Sequence, residues 1–317
     1  MHAPVRGRFA PSPSGRMHLG NLFSALLAWL SVRAKGGVMV LRMEDLDPDR
    51  CREEYALQLA DDLRWLGLDW DEGYGAGGPH GPYRQRERTE RYAGAFQALE
   101  AQGLVYPCFC TRAERLAASA PHRSDGSAVY PGTCRTLTQA EREQRARTRS
   151  PAWRLMVPDR TSGFTDGLQG SYAENLGRDC GDFILRRSDG VYAYQLAVAV
   201  DDGGMEISEV VRGRDLLDST PRQQYLLELL GLPSPEYYHV PLLLAPDGRR
   251  LSKRERDLDM GALRRRYTPE ELTGLLAHLA GLLERSTPVR AGELVSRFDW
   301  ARVRSADVIV DDTILRG

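Results

Sequence analysis

The chain has 317 residues, of which 42% are hydrophobic and 27% charged, and its formal net charge is −1. This composition excludes a disordered chain and predicts a globular protein long enough for two domains or for one domain with a large insert. No apolar run reaches the roughly 18 residues of a membrane span, and the first residues lack the apolar core of a signal peptide. We therefore expect a cytoplasmic protein that does not bind membranes.

The five cysteines, an odd number, argue against the disulfide framework of a secreted protein. They leave a metal site or free thiols in a reducing compartment. The near-zero net charge does not exclude a nucleic-acid partner, because arginine clusters at residues 249–256 and 264–266 can form a basic face on a neutral protein.

The first half of the chain alternates strands and helices. A short strand is predicted at residues 7–10, and the Pro-Ser-Pro-Ser-Gly turn after it can continue neither a helix nor a strand ladder. Apolar residues then recur at helical spacing from Leu19, followed by a buried strand in GGVMVLRM and an amphipathic helix in REEYALQLADDLRWLGL. This order predicts a doubly wound parallel sheet, which binds ligands at the carboxyl ends of its strands and phosphates at helix N-termini.

Two short motifs occupy positions where a nucleotide would bind, although the chain has neither GxGxxG nor a P-loop. In HLGN, at the first predicted helix, His18 can donate to a phosphate oxygen and Gly20 lets a flat base pack close to the backbone. In LLLAPDGRRLSKRERD, Lys253 lies on a loop that could close over a triphosphate. Taken singly, each motif is more typical of an ordinary surface, as a helix-entry His-x-Gly or a solvated basic loop, than of a nucleotide site.

Together, HLGN and LSKR resemble the HIGH and KMSKS signatures of class I aminoacyl-tRNA synthetases. The similarity covers about residues 6–256 and indicates the glutamyl-tRNA synthetase branch. It is carried by RFAPSPSGRMHLGN, VMVLRMEDLDPDR, LRWLGLDWDEG, YRQRERTERY, DFILRRSDGVYAYQLAVAVDD and VVRGRDLLDSTPRQQYLLELLGL. The DLLDSTPRQ segment, the RLSKR loop and the length resemble the shorter glutamyl-queuosine tRNA(Asp) synthetases of that branch. About 60 residues follow Arg256, which we expect to be too few for a large anticodon-binding region.

The resemblance implies an α/β fold: a class I synthetase, Rossmann-like doubly wound parallel sheet with a zinc-binding insert and a short C-terminal helical region. It divides the chain into a first half of the catalytic core (1–105), the insert (106–180), a second half with the LSKR loop (181–257) and the C-terminal region (258–317). The amphipathic stretch PEELTGLLAHLAGLL predicts a helix in the last of these.

Glutamate brings two carboxylates and one ammonium group, so its site needs an arginine fork and a carboxylate. Arg8 and Glu44 end the first two predicted strands, at the carboxyl edge of the sheet. The resemblance implies a glutamate site lined by Arg8, Phe9, Ala10, Pro11, Ser12, Glu44, Tyr194 and Arg212, and an ATP site lined by His18, Gly20, Asn21 and Lys253. It places Glu44 at the ammonium group and Arg212 at a carboxylate. A core aromatic is the alternative for Tyr194, and a surface residue at a strand end is the alternative for Arg212.

Cys108, Cys110 and Cys134 have a spacing that suits one structural Zn²⁺ per chain, which needs a fourth ligand. Ligand chemistry alone favours His122, because a phenol must lose a proton of pKa about 10 to bind a metal. The resemblance implies Tyr130 instead, and free cytosolic thiols are the remaining alternative. For Cys51 and Cys180 we expect ordinary buried or half-buried thiols. We do not expect Asp201 or Asp202 to bind a metal.

The resemblance implies a two-step reaction. L-Glutamate attacks ATP to give glutamyl-adenylate and pyrophosphate, with Mg²⁺ sharing the phosphate charge and with His18 and Lys253 as the residues that stabilise it. The glutamyl group then passes to a queuosine hydroxyl of tRNA(Asp), and we expect the enzyme to be a monomer. The alternatives are a truncated glutamyl-tRNA synthetase that charges an acceptor end, and a catalytically silent RNA-binding paralogue. The joint presence of His18, Glu44, Arg212 and Lys253 argues against a silent paralogue.

Overall fold

A parallel sheet forms the centre of the fold. The computed structural model describes residues 4–111, 113–114, 129–249, 251 and 258–311. From one edge to the other, the strands of the sheet are β3 (Glu72–Gly73), β2 (Val38–Leu41), β1 (Arg6–Phe9), β9 (Glu209–Gly213) and β10 (Glu236–Val240). Each neighbouring pair is parallel. The predicted doubly wound parallel sheet is therefore confirmed, and its strand order changes direction at β1.

The strands bury apolar side chains on both faces of the sheet, as a parallel sheet requires. Met39, Leu41 and Val211 belong to the large core on one face. Val40 and Val210, each one residue away along its strand, belong to a separate cluster on the other face. Because successive side chains of a strand point to opposite faces, the continuous apolar runs in the sequence follow directly from this two-sided burial.

The described helices cover much of the remaining chain. They are α1 (Leu19–Ala34), α2 (Glu53–Trp65), α3 (Thr89–Ala101), α4 (Gln139–Ala146), α5 (Tyr194–Gly204), α6 (Thr220–Leu230), α7 (Met260–Arg266), α8 (Pro269–Ala280) and α9 (Ala291–Leu294). Helix α1 begins at the predicted residue and contacts β1, β2 and β9 on one side and α8 and α9 on the other. Its nearly continuous apolar sequence follows from this double cover. The helices predicted in residues 52–68 and 269–283 are confirmed by α2 and α8.

The insert is built on antiparallel strands. Strands β4 (Val105–Cys108), β5 (Ala152–Leu155) and β8 (Phe183–Arg186) form one sheet, and β6 (Thr161–Asp166) pairs with β7 (Gly170–Asn175) in a hairpin. Strand β8 lies beyond residue 180, where the second half of the core was predicted to start, yet it belongs to the same sheet as β4 and β5. The four-part domain division stays a prediction.

The C-terminal helices join the core through a short strand pair. Strand β11 (Leu243–Leu244) lies in parallel beside β12 (Val308–Ile309), and the backbone of Met260 donates to the carbonyl of Met17 at 2.9 Å. The start of α7 is thus fixed next to the start of α1. Across the described ranges, none of the helices has the length and apolar character needed to span a membrane.

A buried carboxylate connects α5 to the start of α3. Asp201 has no exposed surface, and its Oδ1 accepts from Arg88 Nε at 2.5 Å. Its Oδ2 accepts from Gln85 Nε2 and Tyr92 Oη, both at 2.9 Å. Arg88 is itself buried and donates further to two backbone carbonyls. Removing one partner of such a pair is costly, since the other charge stays desolvated.

We expect Asp201→Ala to lower the free energy of unfolding by about 3–5 kcal/mol, because Arg88 would remain buried without its counter-charge. Urea unfolding followed by circular dichroism measures this. The matched control is Glu228→Ala, which breaks the exposed pair between Arg160 and Glu228 and should cost no more than about 1 kcal/mol. Equal losses in the two variants would show that Asp201 is not a structural anchor.

Candidate active site

A cavity of about 380 Å³ opens at the carboxyl ends of β1 and β9, between which the strand order reverses. Doubly wound folds bind ligands at such a position. Of the residues predicted to bind glutamate or ATP, those that line the cavity are Arg8, Phe9, Ala10, Pro11, Ser12, His18, Gly20, Asn21, Glu44, Tyr194 and Arg212. The remaining one, Lys253, lies outside the described residues. The structure thus brings the candidates together at one site, and the ligand that each one binds stays a prediction.

Arg8 and Glu44 reach the cavity from neighbouring strand ends. Arg8 is 5% exposed, its Nη1 donates to the carbonyl of Val211 at 3.2 Å, and its Nε lies 3.5 Å from Asp202 Oδ1. Glu44 lies three residues beyond the end of β2, and its backbone N–H donates to the carbonyl of Pro11 at 3.0 Å. The backbone segments that follow β1 and β2 are therefore tied together beside Arg8 and Glu44, whose side chains carry opposite charges.

Arg42 lies behind these two residues and is completely buried. Its Nη2 donates to Glu44 Oε1 at 3.1 Å and its Nη1 to Asp202 Oδ1 at 2.7 Å. Burial opposes the charged form of Arg42, but the attraction of the surrounding carboxylates prevails and raises its pKa. Arg42 therefore stays a cation, and it fixes two carboxylates beside the cavity.

Burial and neighbouring charges shift the pKa values of the ionisable groups in and behind the cavity. Burial raises the pKa of Glu44, despite the attraction of Arg42 and Arg8. For Asp202, the attraction of the same two arginines outweighs burial and lowers the pKa. Burial lowers the pKa of Arg8 and raises that of the half-buried Tyr194. A ligand with its own charges would complement these desolvated groups.

Arg212, on β9, is held from behind by hydrogen bonds. Its Nε donates to His239 Nε2 at 3.0 Å, its Nη1 to Gln223 Oε1 at 2.7 Å and its Nη2 to Thr220 Oγ1 at 2.8 Å. On the other side of its ring, His239 Nδ1 lies 2.5 Å from Asp166 Oδ2. These contacts join β9, β10, α6 and the hairpin of the insert around one guanidinium group.

The HLGN motif forms the N-terminus of α1. His18 is the N-cap, and its Nδ1 accepts from the backbone N–H of Gly20 at 3.2 Å. The Asn21 side chain returns a hydrogen bond by accepting from the backbone N–H of His18 at 3.1 Å. Because Nδ1 is an acceptor, the proton of a neutral imidazole lies on Nε2. A Cβ on residue 20 would lie 3.2 Å from the His18 ring and would crowd it, so glycine leaves room for the ring.

Three cysteines of the insert gather in a cluster that could hold a metal ion. The Sγ atoms of Cys108, Cys110 and Cys134 all lie within 4.8 Å of one another. Tyr130 Oη lies 3.3 Å from Cys108 Sγ and 3.5 Å from Cys110 Sγ, and it accepts from the backbone N–H of Cys134 at 3.0 Å. His122, the alternative fourth ligand, lies outside the described residues.

The thiols of this cluster differ in acidity. Burial raises the pKa of the Cys110 thiol to about 11. For Cys108, burial is outweighed by the hydrogen bond with Tyr130 and by the charge of Arg154, and its pKa is lowered. The guanidinium of Arg154 stacks 3.8 Å from the centre of the Tyr130 ring. Of the other thiols, Cys51 is half-buried.

Sequence reasoning gave no supporting role to the buried residues behind the cavity, namely Arg42, Asp202, Asp166 and His239; Asp202 was considered only as a metal ligand and rejected. One signal was available for the first two: Arg42 directly follows the apolar run VMVL, and Asp202 is the second of two aspartates after LAVAV. The pairing itself had no signal, because Arg42 and Asp202 are 160 positions apart in the chain. Sequence reasoning also missed the cavity residues Ser24, Asp215, Leu216, Pro241 and Leu251.

Comparison with known proteins places the chain among tRNA synthetases. Residues 4–313 match the family model for the catalytic domain of class I tRNA synthetases (E and Q). The Glutamyl-Q tRNA(Asp) synthetase of Symbiobacterium thermophilum is 52% identical over 94% of this chain and 93% of its own length. The Glutamyl-Q tRNA(Asp) synthetase of Nitratidesulfovibrio vulgaris is 50% identical over 98% of this chain and 97% of its own length.

The structural comparison agrees. The crystal structure of the glutamate-tRNA synthetase from Elizabethkingia anophelis superposes with a TM-score of 0.84 at 28% identity, covering 98% of this chain and 68% of that one. With the family match over nearly the whole chain and the cavity at the reversal of the parallel sheet, the chain belongs to the class I tRNA synthetases for glutamate and glutamine.

Proposed function

We propose that this chain activates L-glutamate with ATP and transfers the glutamyl group to an RNA hydroxyl. The observation that supports this most directly is the presence of two buried arginines, Arg8 and Arg212, and one carboxylate, Glu44, with a side chain only 9% exposed, around a single cavity. The two carboxylates and the ammonium group of glutamate complement this set of charges. In this proposal Arg212 binds a carboxylate and Glu44 the ammonium group.

In the first step, an α-carboxylate oxygen of glutamate bonds to the α-phosphorus of ATP. The bond from that phosphorus to the bridging oxygen of pyrophosphate breaks, and no side chain acts as nucleophile. His18 donates from Nε2 to a phosphate oxygen at the N-terminus of α1, where the helix dipole also favours an anion. Mg²⁺ bound with ATP supplies further positive charge to the phosphates. In this proposal Lys253, which the LSKR motif supports, has the same role as His18.

In the second step, an RNA hydroxyl attacks the carbonyl carbon of glutamyl-adenylate and AMP leaves. For this hydroxyl we propose the cyclopentene-diol of queuosine in the anticodon loop of tRNA(Asp). The support is that relatives at 52% and 50% identity carry the name Glutamyl-Q tRNA(Asp) synthetase. An anticodon loop presents unstacked nucleotides, which a basic cleft can accommodate.

For the cysteine cluster we propose a structural Zn²⁺ with Tyr130 as the fourth ligand. In a tetrahedral site with Zn–S near 2.3 Å and Zn–O near 2.0 Å, the sulfur and oxygen atoms lie about 3.5 Å apart. The observed distances from Tyr130 Oη to the sulfurs of Cys108 and Cys110 are 3.3 and 3.5 Å. Arg154, over the phenol ring, offsets part of the negative charge that three thiolates and a phenolate carry.

We expect His18→Ala and His18→Asn each to slow glutamate-dependent ATP–pyrophosphate exchange by about 10²-fold, the effect of losing one preorganised donor. Asparagine is a good N-cap and alanine is not, so only His18→Ala should also lose about 1 kcal/mol of unfolding free energy. Exchange is measured without tRNA, and urea unfolding supplies the stability. Wild-type exchange in His18→Asn would show that His18 serves the helix and not the phosphates.

We expect protein purified without chelator to contain about one Zn²⁺ per chain, and Tyr130→Phe to raise the zinc dissociation constant at least about 10-fold, since it removes a ligand oxygen. Metal analysis and competition with a chromogenic chelator measure these quantities. His122→Ala is the control and should bind zinc as the wild type does. Zinc loss in that variant alone would identify the histidine as the ligand.

The choice of acceptor is tested with labelled glutamate. We expect transfer to tRNA(Asp) that carries queuosine, and none to tRNA(Glu) or to tRNA(Asp) with an unmodified guanosine, because the diol supplies the accepting hydroxyl. Removal of the 3′-terminal adenosine from the modified tRNA(Asp) should leave acceptance intact. Glutamate on tRNA(Glu), lost together with that adenosine, would mean that the enzyme charges an acceptor end instead.

A further inference from the structure

The guanidinium of Arg212 is hydrogen-bonded to His239, which in turn contacts Asp166, and neither of these two residues lines the cavity. Arginine has only donors, so the hydrogen bond from Arg212 Nε requires a lone pair on His239 Nε2. The proton of the neutral imidazole must then lie on Nδ1, where it donates to Asp166 Oδ2 at 2.5 Å. His239 has no exposed surface and Asp166 is 2% exposed. The three residues therefore form a closed relay of donors and acceptors.

The surroundings keep His239 neutral. Burial lowers its pKa, and so does the charge of Arg212, while the carboxylate of Asp166 acts in the opposite direction without prevailing. The imidazole also stacks on the ring of Tyr237, with the ring centres 6.0 Å apart and the planes within 11°. The ring is thus fixed in position, and Nε2 is kept as an acceptor.

The two oxygens of Asp166 accept different sets of hydrogen bonds and share only the backbone N–H of His239. Oδ1 accepts backbone N–H bonds from Leu168 at 3.0 Å, Gln169 at 2.9 Å and His239 at 3.1 Å. Oδ2 faces the imidazole and shares the N–H of His239, at 3.1 Å. The backbone of the hairpin turn thereby decides which oxygen meets Nδ1.

We propose that His239 and Asp166 are positioning residues: Asp166 sets the tautomer of His239, and that tautomer holds the Arg212 guanidinium in the orientation that binds a carboxylate of glutamate. This inference rests on the proposed function, in which Arg212 is a glutamate ligand. It assigns a role in amino-acid recognition to a residue of the insert, although the hydrogen bonds of Asp166 all lie behind the cavity wall.

The decisive variant is Asp166→Asn, which replaces one carboxylate oxygen by an NH2 group and preserves the shape. Its carbonyl oxygen can take the place of Oδ1 and keep the three backbone bonds. Its amide nitrogen then takes the place of Oδ2 and donates to His239 Nδ1. The imidazole proton must move to Nε2, where it opposes the N–H of Arg212.

We expect Asp166→Asn to raise the KM for glutamate in ATP–pyrophosphate exchange by about 10- to 100-fold, with the KM for ATP changed less than about 2-fold. ¹⁵N NMR of histidine-labelled protein should show that the His239 proton has moved from Nδ1 to Nε2. The control, Asp189→Asn in an exposed turn, should change neither quantity. A moved proton with an unchanged glutamate KM overturns the inference, and so does a proton that stays on Nδ1.

A second pair of variants covers the case in which Asp166→Asn does not fold. His239→Gln keeps an acceptor oxygen for Arg212 and should raise the glutamate KM less than about 3-fold, whereas His239→Leu has a similar volume without an acceptor and should raise it at least about 10-fold. Equal KM values in this pair contradict the inference.

A wild-type chain that neither exchanges nor binds glutamate would refute the proposed function and this inference together, whereas an active wild type with unaffected variants refutes the inference alone.

Discussion

The candidate site requires charged side chains that stay ionised although they are buried, and the ion pair between Arg42 and Asp202 stabilises this charge. Asp202 is 3% exposed and Arg42 is fully buried, and they approach to 2.7 Å. Asp202 also lies near Arg8, so that one carboxylate serves two arginines. Among the described residues, Arg212 hydrogen-bonds only to uncharged groups. The charges of Arg8 and Arg212, at the cavity wall, are therefore incompletely neutralised, which suits a ligand with two carboxylates.

The elements with local signals could be predicted from the sequence, and the contacts between distant segments could not. The apolar spacing after His18 predicted α1 because residues three and four positions apart share one face of a helix. The Cys108–Cys110 pair predicted a metal cluster because a Cys-x-Cys spacing is poorly placed for a disulfide between the two residues and suits metal binding. The relay from Asp166 to His239 joins residues 73 positions apart on different elements. Such a pair becomes visible only when the fold brings β6 beside β10, since a single histidine in an apolar strand is equally typical of the core.

His18 caps α1, and in the proposed reaction the same side chain also donates to a phosphate oxygen. As the N-cap of α1 it satisfies a backbone N–H that the helix leaves without a partner, and this bond fixes the proton of the ring on the other nitrogen. The same capping contact therefore prepares the donor that the proposed reaction uses. Gly20 suits this arrangement, because a Cβ there would lie only 3.2 Å from the His18 ring, a tight contact.

The insert contributes to the cavity through close packing of its hairpin. Gly167 directly follows Asp166, and a Cβ at that position would lie 2.1 Å from the ring of Tyr238 on β10. Its N–H also donates to the carbonyl of Tyr237 at 2.8 Å. Only glycine allows the turn to approach β10 this closely, and the approach brings the Asp166 carboxylate to His239. At the other end of the insert the cysteine cluster ties β4 to the segment around residue 134. A metal ion bound there, as proposed above, would stabilise the part of the chain from which the hairpin extends.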